Sequence, residues 1–259
     1  MKIALAQIDK DWNSPAANIA RCKKMLDDAQ AKGAELVVFP EMFTTGFSQL
    51  SGPAAVAAYE SGLEFLKTEA AARNLHLCGS IPDTSTDPCR PKNTLLFFGP
   101  RGELARYSKV FLFSYQGEDN NYQPGEKLVT VNALGLRIAL FICYDLRFPL
   151  PFFELAPQVD LYLVVANWPS TRQMHFESLL RARAIENQAY VAGVNRVGSA
   201  GNGLQYSGGS QLISPLGEIL VRGDSTEALL IAEIDAAQVT KTRADFPFML
   251  DREKFKYGR

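Results

Sequence analysis

Residues 136–149, LRIALFICYDLRFP, constrain the fold of this chain more than any other segment. The segment begins as an apolar, partly β-branched run, which is typical of a buried strand. It then ends abruptly in a cysteine, a tyrosine, an aspartate and an arginine. On this pattern alone, Cys143 is either one more small core residue or a nucleophile held at the edge of a sheet.

Strand and helix patterns alternate along the whole chain. The predicted strands cover residues 2–8, 34–41, 75–81, 136–143, 159–167 and 228–235, with hairpins at 93–109 and 209–222 that turn at 100–102 and 215–217. The predicted helices cover residues 13–33, 54–73 and, running into a strand, 175–196. Asn13 or Ser14 is expected to cap the first helix, and Asp235 a last one. The alternation predicts an α/β fold with a mixed sheet or two sheets, in a single domain over residues 1–259.

Composition narrows the class of protein. The 259 residues are 47% hydrophobic and 21% charged, with 27 basic and 28 acidic side chains that give a net charge of −1. Neither nucleic acid nor a membrane is therefore expected as a partner, and no apolar run approaches the roughly 20 residues of a membrane span. The four cysteines include no C-x-x-C pair, so we expect no disulfide framework, no metal site and a reducing, cytoplasmic setting.

The chain has only two histidines, His76 and His175. The first lies in a short strand pattern and the second begins a helical stretch, so both are expected to be structural or exposed. A nucleophile paired with histidine is therefore poorly supported. If Cys143 is a nucleophile, its base is expected to be a carboxylate.

Three predicted strands end in a charged or reactive side chain, namely Glu41, Lys109 and Cys143. Together these groups suit acyl transfer: a thiol attacks a carbonyl carbon, a carboxylate moves the proton, and an ammonium supports the oxyanion. A second carboxylate nearby would raise the pKa of the base, and Glu118 is the candidate. Each residue also has an ordinary interpretation. Cys143 could be core, Glu41 a helix-entry carboxylate, and Lys109 and Glu118 solvated loop residues.

Three segments, FPEMFTTGF, YSKVFLF and ICYDLRFP, resemble in order and spacing the signature segments of the nitrilase superfamily of carbon–nitrogen hydrolases. The resemblance continues through NNYQPGE, NWP, RARAIENQAYVAGVNRVG and YSGGS, and so covers nearly the whole chain. It is greatest for the omega-amidase branch. One difference is Phe111, which stands where many members of that branch have a histidine after the lysine.

The resemblance implies a four-layer αββα sandwich that pairs into a homodimer, with no cofactor. It also implies that Cys143 is the nucleophile, Glu41 the general base and Lys109 the residue that supports the oxyanion. Glu118 matches the second glutamate that many members carry. The backbone N–H of Tyr144 is expected to complete the oxyanion hole.

Candidate substrate-binding residues follow the same strand ends. Arg147 could anchor a carboxylate through two parallel hydrogen bonds, or could instead pair with Asp145 or lie at a subunit interface. Asn167 and Trp168 fall where relatives line the amide pocket, although Trp168 could be plain core. Phe43 and Tyr206 are weaker candidates. Three residues of the later helix, Arg181, Arg183 and Glu186, are expected to serve helix and dimer structure.

The predicted function is hydrolysis of the side-chain amide of a small dicarboxylic acid monoamide, with 2-oxoglutaramate and 2-oxosuccinamate the favoured substrates. A carbamoylase or an aliphatic amidase would share every catalytic residue and differ only in the pocket. A binding protein on the same fold, with Cys143 kept as core or as a redox-sensitive thiol, is the alternative from another class.

Overall fold

The computed structural model describes residues 1–254. Within that range the strands are β1 (Lys2–Gln7), β2 (Leu36–Val38), β3 (His76–Asp83), β4 (Lys92–Gly99), β5 (Gly102–Ser108), β6 (Thr130–Ala133), β7 (Leu136–Ile142), β8 (Leu161–Val165), β9 (Tyr190–Val194), β10 (Val197–Ser199), β11 (Gln205–Ser207), β12 (Gln211–Ile213), β13 (Ile219–Arg222) and β14 (Ala228–Glu233). The α-helices are α1 (Pro15–Ala31), α2 (Gly52–Arg73), α3 (Glu118–Asn121), α4 (Pro149–Leu155), α5 (Gln173–Asn187) and α6 (Ala236–Asp245). Short 3-10 helices cover Ser114–Gln116, Cys143–Arg147, Ala156–Gln158, Ser170–Arg172 and Phe248–Lys254.

The strands form two six-stranded mixed sheets and a small β10–β11 hairpin. The first sheet has the order β14-β1-β2-β3-β4-β5, and the second has the order β13-β12-β9-β8-β7-β6. In each sheet three neighbouring strands are parallel, β1 to β3 in the first and β7 to β9 in the second, while the outer strands pair antiparallel. The carboxyl ends of parallel strands share one edge of a sheet, so each sheet presents several strand ends together.

The apolar core shows how the layers stack. One cluster takes residues from both sheets, among them Leu5 and Val38 of the first and Leu140 and Leu163 of the second, so the sheets pack face to face. The outer face of the first sheet packs against α1 and α2. The outer face of the second packs against α4 and α5. The predicted αββα sandwich is therefore confirmed.

Of the predicted helix caps, the structure shows one and not the other. Ser14 occupies the position before α1, but its side chain makes no cap hydrogen bond, and Pro15 opens the helix instead. Asp235 does cap the last helix, since its carboxylate accepts from Ala237 N at 3.0 Å. None of the helices in the described part of the chain has the length and apolar composition of a membrane span.

Candidate active site

Cys143 lies at the carboxyl end of β7, where the chain turns sharply into a 3-10 helix. Its φ is +47°, in the left-handed region that residues with a Cβ seldom adopt. Such strain persists only where surrounding contacts hold it, and it is common at reactive residues. The buried strand therefore ends in a strained elbow that presents the thiol to a cavity.

Asp145 stabilises this elbow. Its buried carboxylate accepts hydrogen bonds from Ile142 N at 2.9 Å, Phe111 N at 3.0 Å and Tyr107 Oη at 2.8 Å. Burial raises the pKa of Asp145 to about 6, while the N–H groups of Phe111 and Ile142 act in the opposite direction. The carboxylate thus joins the elbow to the loop after β5, and the alternative pairing of Asp145 with Arg147 is wrong.

Glu41, Lys109 and Glu118 form a buried charged cluster, in which no residue is more than 1% exposed. Lys109 Nζ lies 3.0 Å from Glu41 Oε1 and 2.8 Å from Glu118 Oε2. Burial alone would lower the pKa of Lys109, but Glu118 and Glu41 outweigh it and hold that pKa well above its ordinary value. Lys109 is therefore an ammonium at neutral pH, fixed between two carboxylates.

Two asparagines complete the hydrogen bonds of the Glu41 carboxylate. Asn93 Nδ2 donates to Oε1 at 2.7 Å, and the backbone N–H of Asn167 donates to Oε2 at 2.8 Å. The backbone oxygen of Asn167 in turn lies 3.9 Å from Cys143 Sγ. Asn167 therefore contacts both the carboxylate and the thiol.

The thiol itself is poorly placed to ionise unaided. Burial, followed by the charge of Glu41, raises the pKa of Cys143 well above its ordinary value, against the opposing charge of Lys109. Cys143 thus rests as a thiol at neutral pH, and a thiol in this state needs a base that takes its proton before it can act as a nucleophile.

The cavity is lined on its inner wall by the buried side chains of Glu41 and Lys109 and by the Cys143 thiol, and on its rim by aromatic and cationic side chains. The full lining is Glu41, Phe47, Lys109, Phe113, Gln116, Cys143, Tyr144, Arg147, Asn167, Trp168, Pro169, Arg172 and Tyr206. Two rim guanidinium groups stack on aromatic rings: Arg147 lies 4.8 Å from the Trp168 ring centre and Arg172 lies 5.5 Å from that of Phe113. Arg147 Nη2 also lies 3.3 Å from His175 Nδ1. Stacking leaves the other edges of the two guanidinium groups available to an anion.

The family model for carbon-nitrogen hydrolases matches residues 2–244. The chain belongs to the carbon-nitrogen hydrolase family. It is therefore an amide-hydrolysing enzyme, as the motifs predicted, and the alternative of a non-catalytic binding protein is wrong.

Similar proteins cover almost the entire chain of this carbon-nitrogen hydrolase. It is 38% identical over 258 residues to the omega-amidase YafV of Escherichia coli K12, covering 99% of this chain and 98% of that one. It is 29% identical over 259 residues to the 2-oxoglutaramate amidase of Bacillus subtilis, covering 98% of each. The crystal structure of XC1258 from Xanthomonas campestris, a CN-hydrolase superfamily protein with an arsenic adduct in its active site, matches with a TM-score of 0.90 and 37% identity, over 100% of this chain and 99% of that one. The predicted resemblance to omega-amidases is thereby confirmed.

The structure brings most of the predicted site residues to the cavity, with two exceptions, Glu118 and Phe43. Glu41, Lys109, Cys143, Tyr144, Arg147, Asn167, Trp168 and Tyr206 line it, and Glu118 bonds to Lys109 from outside the lining. Phe43 does not reach the cavity. Its ring is fully buried, with centres 5.2 Å from Phe39 and 5.8 Å from Phe65, so the prediction that Phe43 binds substrate is wrong.

Several cavity residues were missed by sequence reasoning. Phe47 and Phe113 follow the motif residues Glu41 and Lys109 at short distances in the chain, and that proximity was a usable signal. Arg172, by contrast, reaches the rim from the 3-10 helix Ser170–Arg172, a short turn that the hydrophobic periodicity of the sequence does not predict. Its approach depends on the tertiary packing of α5.

Phe111 and Arg183 make structural contacts beside the elbow. Phe111 does not line the cavity; its ring stacks on Phe148 with ring centres 3.9 Å apart, which joins the loop after Lys109 to the loop after the elbow. Arg183 is buried, and its guanidinium donates to Leu146 O at 2.8 Å within the elbow helix.

Among residues 1–254, no three His, Cys, Asp or Glu side chains are grouped closely enough to hold a metal ion.

Proposed function

We propose that this enzyme hydrolyses the side-chain amide of a small dicarboxylic acid monoamide, with 2-oxoglutaramate and 2-oxosuccinamate as favoured substrates, through a thioester on Cys143. The observation that carries the proposal is one cavity with the Cys143 thiol, the Glu41 carboxylate and the Lys109 ammonium on its inner wall and two arginines on its rim, with a second carboxylate, Glu118, behind Lys109. The names of the relatives, an omega-amidase and a 2-oxoglutaramate amidase, support the same substrate class.

In the first step, Cys143 Sγ attacks the amide carbon while its proton passes to Glu41. The pKa of the thiol lies well above its ordinary value because of burial, so the thiolate forms only as the proton leaves. Glu41 is suited to receive it because Asn93 and the backbone of Asn167 hold both carboxylate oxygens in place. Fixed geometry of this kind lowers the entropic part of the barrier.

The oxyanion that develops on the carbonyl oxygen needs donors in a buried site. Lys109 is one, since its ammonium is held protonated between two carboxylates. The backbone N–H of Tyr144, the first residue after the nucleophile, is proposed as the second. Phe47 packs over Lys109, with Nζ 5.4 Å from the ring centre, and limits the access of water to this charge.

Collapse of the tetrahedral intermediate breaks the carbon–nitrogen bond. Glu41 returns its proton to the leaving nitrogen, ammonia departs, and the acyl group remains on Cys143 as a thioester. Glu41, again a carboxylate, then removes a proton from a water molecule that attacks the thioester carbon. The acid is released and the thiol is restored, so no external oxidant or cofactor enters the balance.

Glu118 supports this cycle from outside the cavity. Its carboxylate contacts Lys109 Nζ through Oε2 at 2.8 Å and accepts from Phe113 N at 2.6 Å. With two carboxylates sharing one ammonium, Lys109 stays charged whichever protonation state Glu41 has in the cycle. We therefore propose that Glu118 is a positioning residue for Lys109.

Arg147 and Arg172 are proposed to anchor the distal carboxylate of the substrate. Both guanidinium groups line the rim, while the amide must reach Cys143 on the inner wall, so the cavity suits a molecule with its amide and its carboxylate at opposite ends. Guanidinium groups bind carboxylates through paired, charge-assisted hydrogen bonds. An uncharged amide would gain nothing from this rim.

The wider setting also remains a proposal: a single domain over residues 1–259, located in the cytoplasm, acting as a homodimer without metal or cofactor. Size-exclusion chromatography with light scattering tests the dimer, and dialysis against a chelator before assay tests the independence from metal.

The central experiment measures ammonia release from 2-oxoglutaramate, succinamate, glutamine, an N-carbamoyl amino acid and butyramide, with the Cys143→Ala variant as the blank. We expect strong preference for the first two and no release above background in the blank. Activity confined to the carbamoyl compound or to butyramide would overturn the substrate class. Trapping of an acyl group on Cys143 by rapid acid quench and mass spectrometry tests the thioester.

A further inference from the structure

A second buried lysine, Lys10, contacts the proposed active site although it does not line the cavity. It follows β1 and is 1% exposed. Its Nζ lies 2.5 Å from the backbone oxygen of Glu41, 3.5 Å from that of Met42 and 2.5 Å from Oδ1 of Asn167. These three acceptors are neutral oxygens, an unusual environment for a buried ammonium.

Lys10 connects the two sheets at the point where the site is assembled. Lys10 and Glu41 follow strands of the first sheet, whereas Asn167 follows β8 of the second. Asn167 also donates from Nδ2 to Glu41 O at 3.1 Å and from its backbone to Glu41 Oε2 at 2.8 Å, while its oxygen lies 3.9 Å from Cys143 Sγ. Because Lys10 occupies Oδ1, it fixes which way the Asn167 amide faces.

Lys10 also changes the charge of the buried site. Glu41, Glu118 and Lys109 are each buried, and with both carboxylates ionised they carry a net charge of −1. A protonated Lys10 brings the sum to zero. A neutral sum over these four groups reduces the cost of a thiolate at Cys143.

The groups that act on Lys10 come from several elements. Burial, followed by the positive charge of Arg196, lowers the pKa of Lys10 well below its ordinary value. The charges of Glu41, Cys22 and Cys143 act in the opposite direction. Because a pairwise interaction is reciprocal, a charged Lys10 favours a thiolate at Cys143 as much as that thiolate favours a charged Lys10.

We propose that Lys10 is a positioning residue for the reaction at Cys143: its ammonium holds the Glu41 main chain and the Asn167 amide in one arrangement and balances the charge of the buried cluster. The inference rests on the proposed role of Glu41 as the base. A purely structural linker would not need the charge, because a neutral side chain could fill the same space without the cost of burying an ammonium.

The test compares Lys10→Met, which keeps an unbranched side chain one atom shorter and removes its charge and donors, with Arg243→Met as the matched control. Arg243 also donates to backbone carbonyls, those of Ala156, Val159 and Asn187, but none of them belongs to the site. Both changes are made with Cys89→Ser because Cys89 is exposed and would react. The measurement is the rate of Cys143 alkylation by iodoacetamide across the neutral and alkaline pH range, followed by peptide mass spectrometry, together with kcat and KM.

We expect alkylation of Lys10→Met at neutral pH to slow by about 100-fold per folded molecule, as a misplaced and less ionisable reacting pair predicts. Its pH profile should move to higher pH and kcat should fall, while KM stays at the wild-type value. Arg243→Met should match the wild type in all three. A Lys10→Met protein with the wild-type alkylation rate and profile would overturn the inference.

Two further outcomes keep the test decisive. If Lys10→Met does not fold, Lys10→Gln retains a donor without the charge, and its alkylation profile should still move to higher pH; an unmoved profile would refute the role of the charge. If the wild-type enzyme releases ammonia from none of the amides while the Lys10 variants still shift alkylation, the proposed substrate fails and the role of Lys10 stands.

Discussion

Charged groups lie at both ends of strands β7 and β8. At one end they form an exposed ion pair, and at the other they form a buried cluster. At the amino end, Asp160 accepts from Arg137 through Nε at 2.9 Å and Nη2 at 2.7 Å, and the Arg137 side chain is 46% exposed. At the carboxyl end, Cys143 and Asn167 meet a charged cluster that water hardly reaches.

The pKa shifts at the two ends run in opposite senses. Burial would raise the pKa of Asp160, but the hydrogen bonds from Arg137 outweigh it and lower that pKa, so folding favours the charge. At the other end burial raises the pKa of Cys143, so folding disfavours its charge. One end of the strands therefore gains stability from ionisation at neutral pH, while the other holds a neutral thiol whose ionisation the fold disfavours.

The largest effect should come from Glu41→Gln, which removes the proposed base from the carboxyl end. Glutamine can still accept from Asn93, but it cannot take the thiol proton, so we expect kcat to fall by about 10⁴-fold. Single-turnover assays measure the loss of turnover, and thermal melting measures any change in folding stability. Glu177→Gln, which changes a carboxylate on α5, is the control; substantial turnover in Glu41→Gln would remove Glu41 from the mechanism.

Glu118→Gln should rank second. With one carboxylate fewer beside Lys109, the ammonium is held less firmly, and we expect kcat to fall by about 100-fold. The free energy of unfolding, measured by denaturant titration, should change by less than the activation free energy of turnover. Glu103→Gln, an exposed carboxylate paired with Arg106, is the matched control. Loss of fold with unchanged activity per folded molecule would contradict the positioning role.

Arg172→Gln at the rim should act on binding. Loss of one guanidinium should raise KM for 2-oxoglutaramate by about tenfold, with little change in kcat, because a charge-assisted bond to the carboxylate is lost. KM for butyramide, which has no carboxylate, should not change. Arg222→Gln, which removes an exposed partner of Glu177, serves as the control. Equal effects on both substrates would mean that Arg172 does not bind the carboxylate.

Asp160→Asn should have the smallest effect and should spare catalysis. A lowered pKa in the folded state stabilises the protein above the unfolded pKa, and that contribution is lost as pH falls through the folded pKa. We expect about 1 kcal/mol less free energy of unfolding at neutral pH, shrinking towards zero below about pH 4. Denaturant titrations at several pH values measure it; a difference that persists in acid would contradict the sign.

Much of the fold was predictable because its signals are local. Apolar runs predicted the parallel strands β1, β2, β7 and β8, and turn residues predicted both hairpins. The missed strands β6, β10 and β11 are short and partly exposed, so their sequences carry little pattern. The helix α4 was missed as well, since a proline-rich stretch seldom predicts a helix.

The site divided in a similar way. Glu41, Lys109 and Cys143 came from motifs at strand ends and Glu118 from the family resemblance, and the structure brings all four together. Lys10, which follows β1 of the first sheet, contacts Asn167, which follows β8 of the second. These residues are far apart in the chain, and no spacing rule predicts such a contact. Phe43 shows the converse error, since a residue close to Glu41 in the chain points into the core instead.

The division of the reacting groups between two sheets also bears on how the site forms. The thiol belongs to the second sheet and the proposed base to the first, whose β1 pairs along its whole length with β14, the last strand within residues 1–254. The two groups meet only where the sheets pack face to face, so neither sheet alone holds the pair. Loss of packing between the sheets would therefore separate the proposed nucleophile from the proposed base even if each sheet kept its own hydrogen bonds.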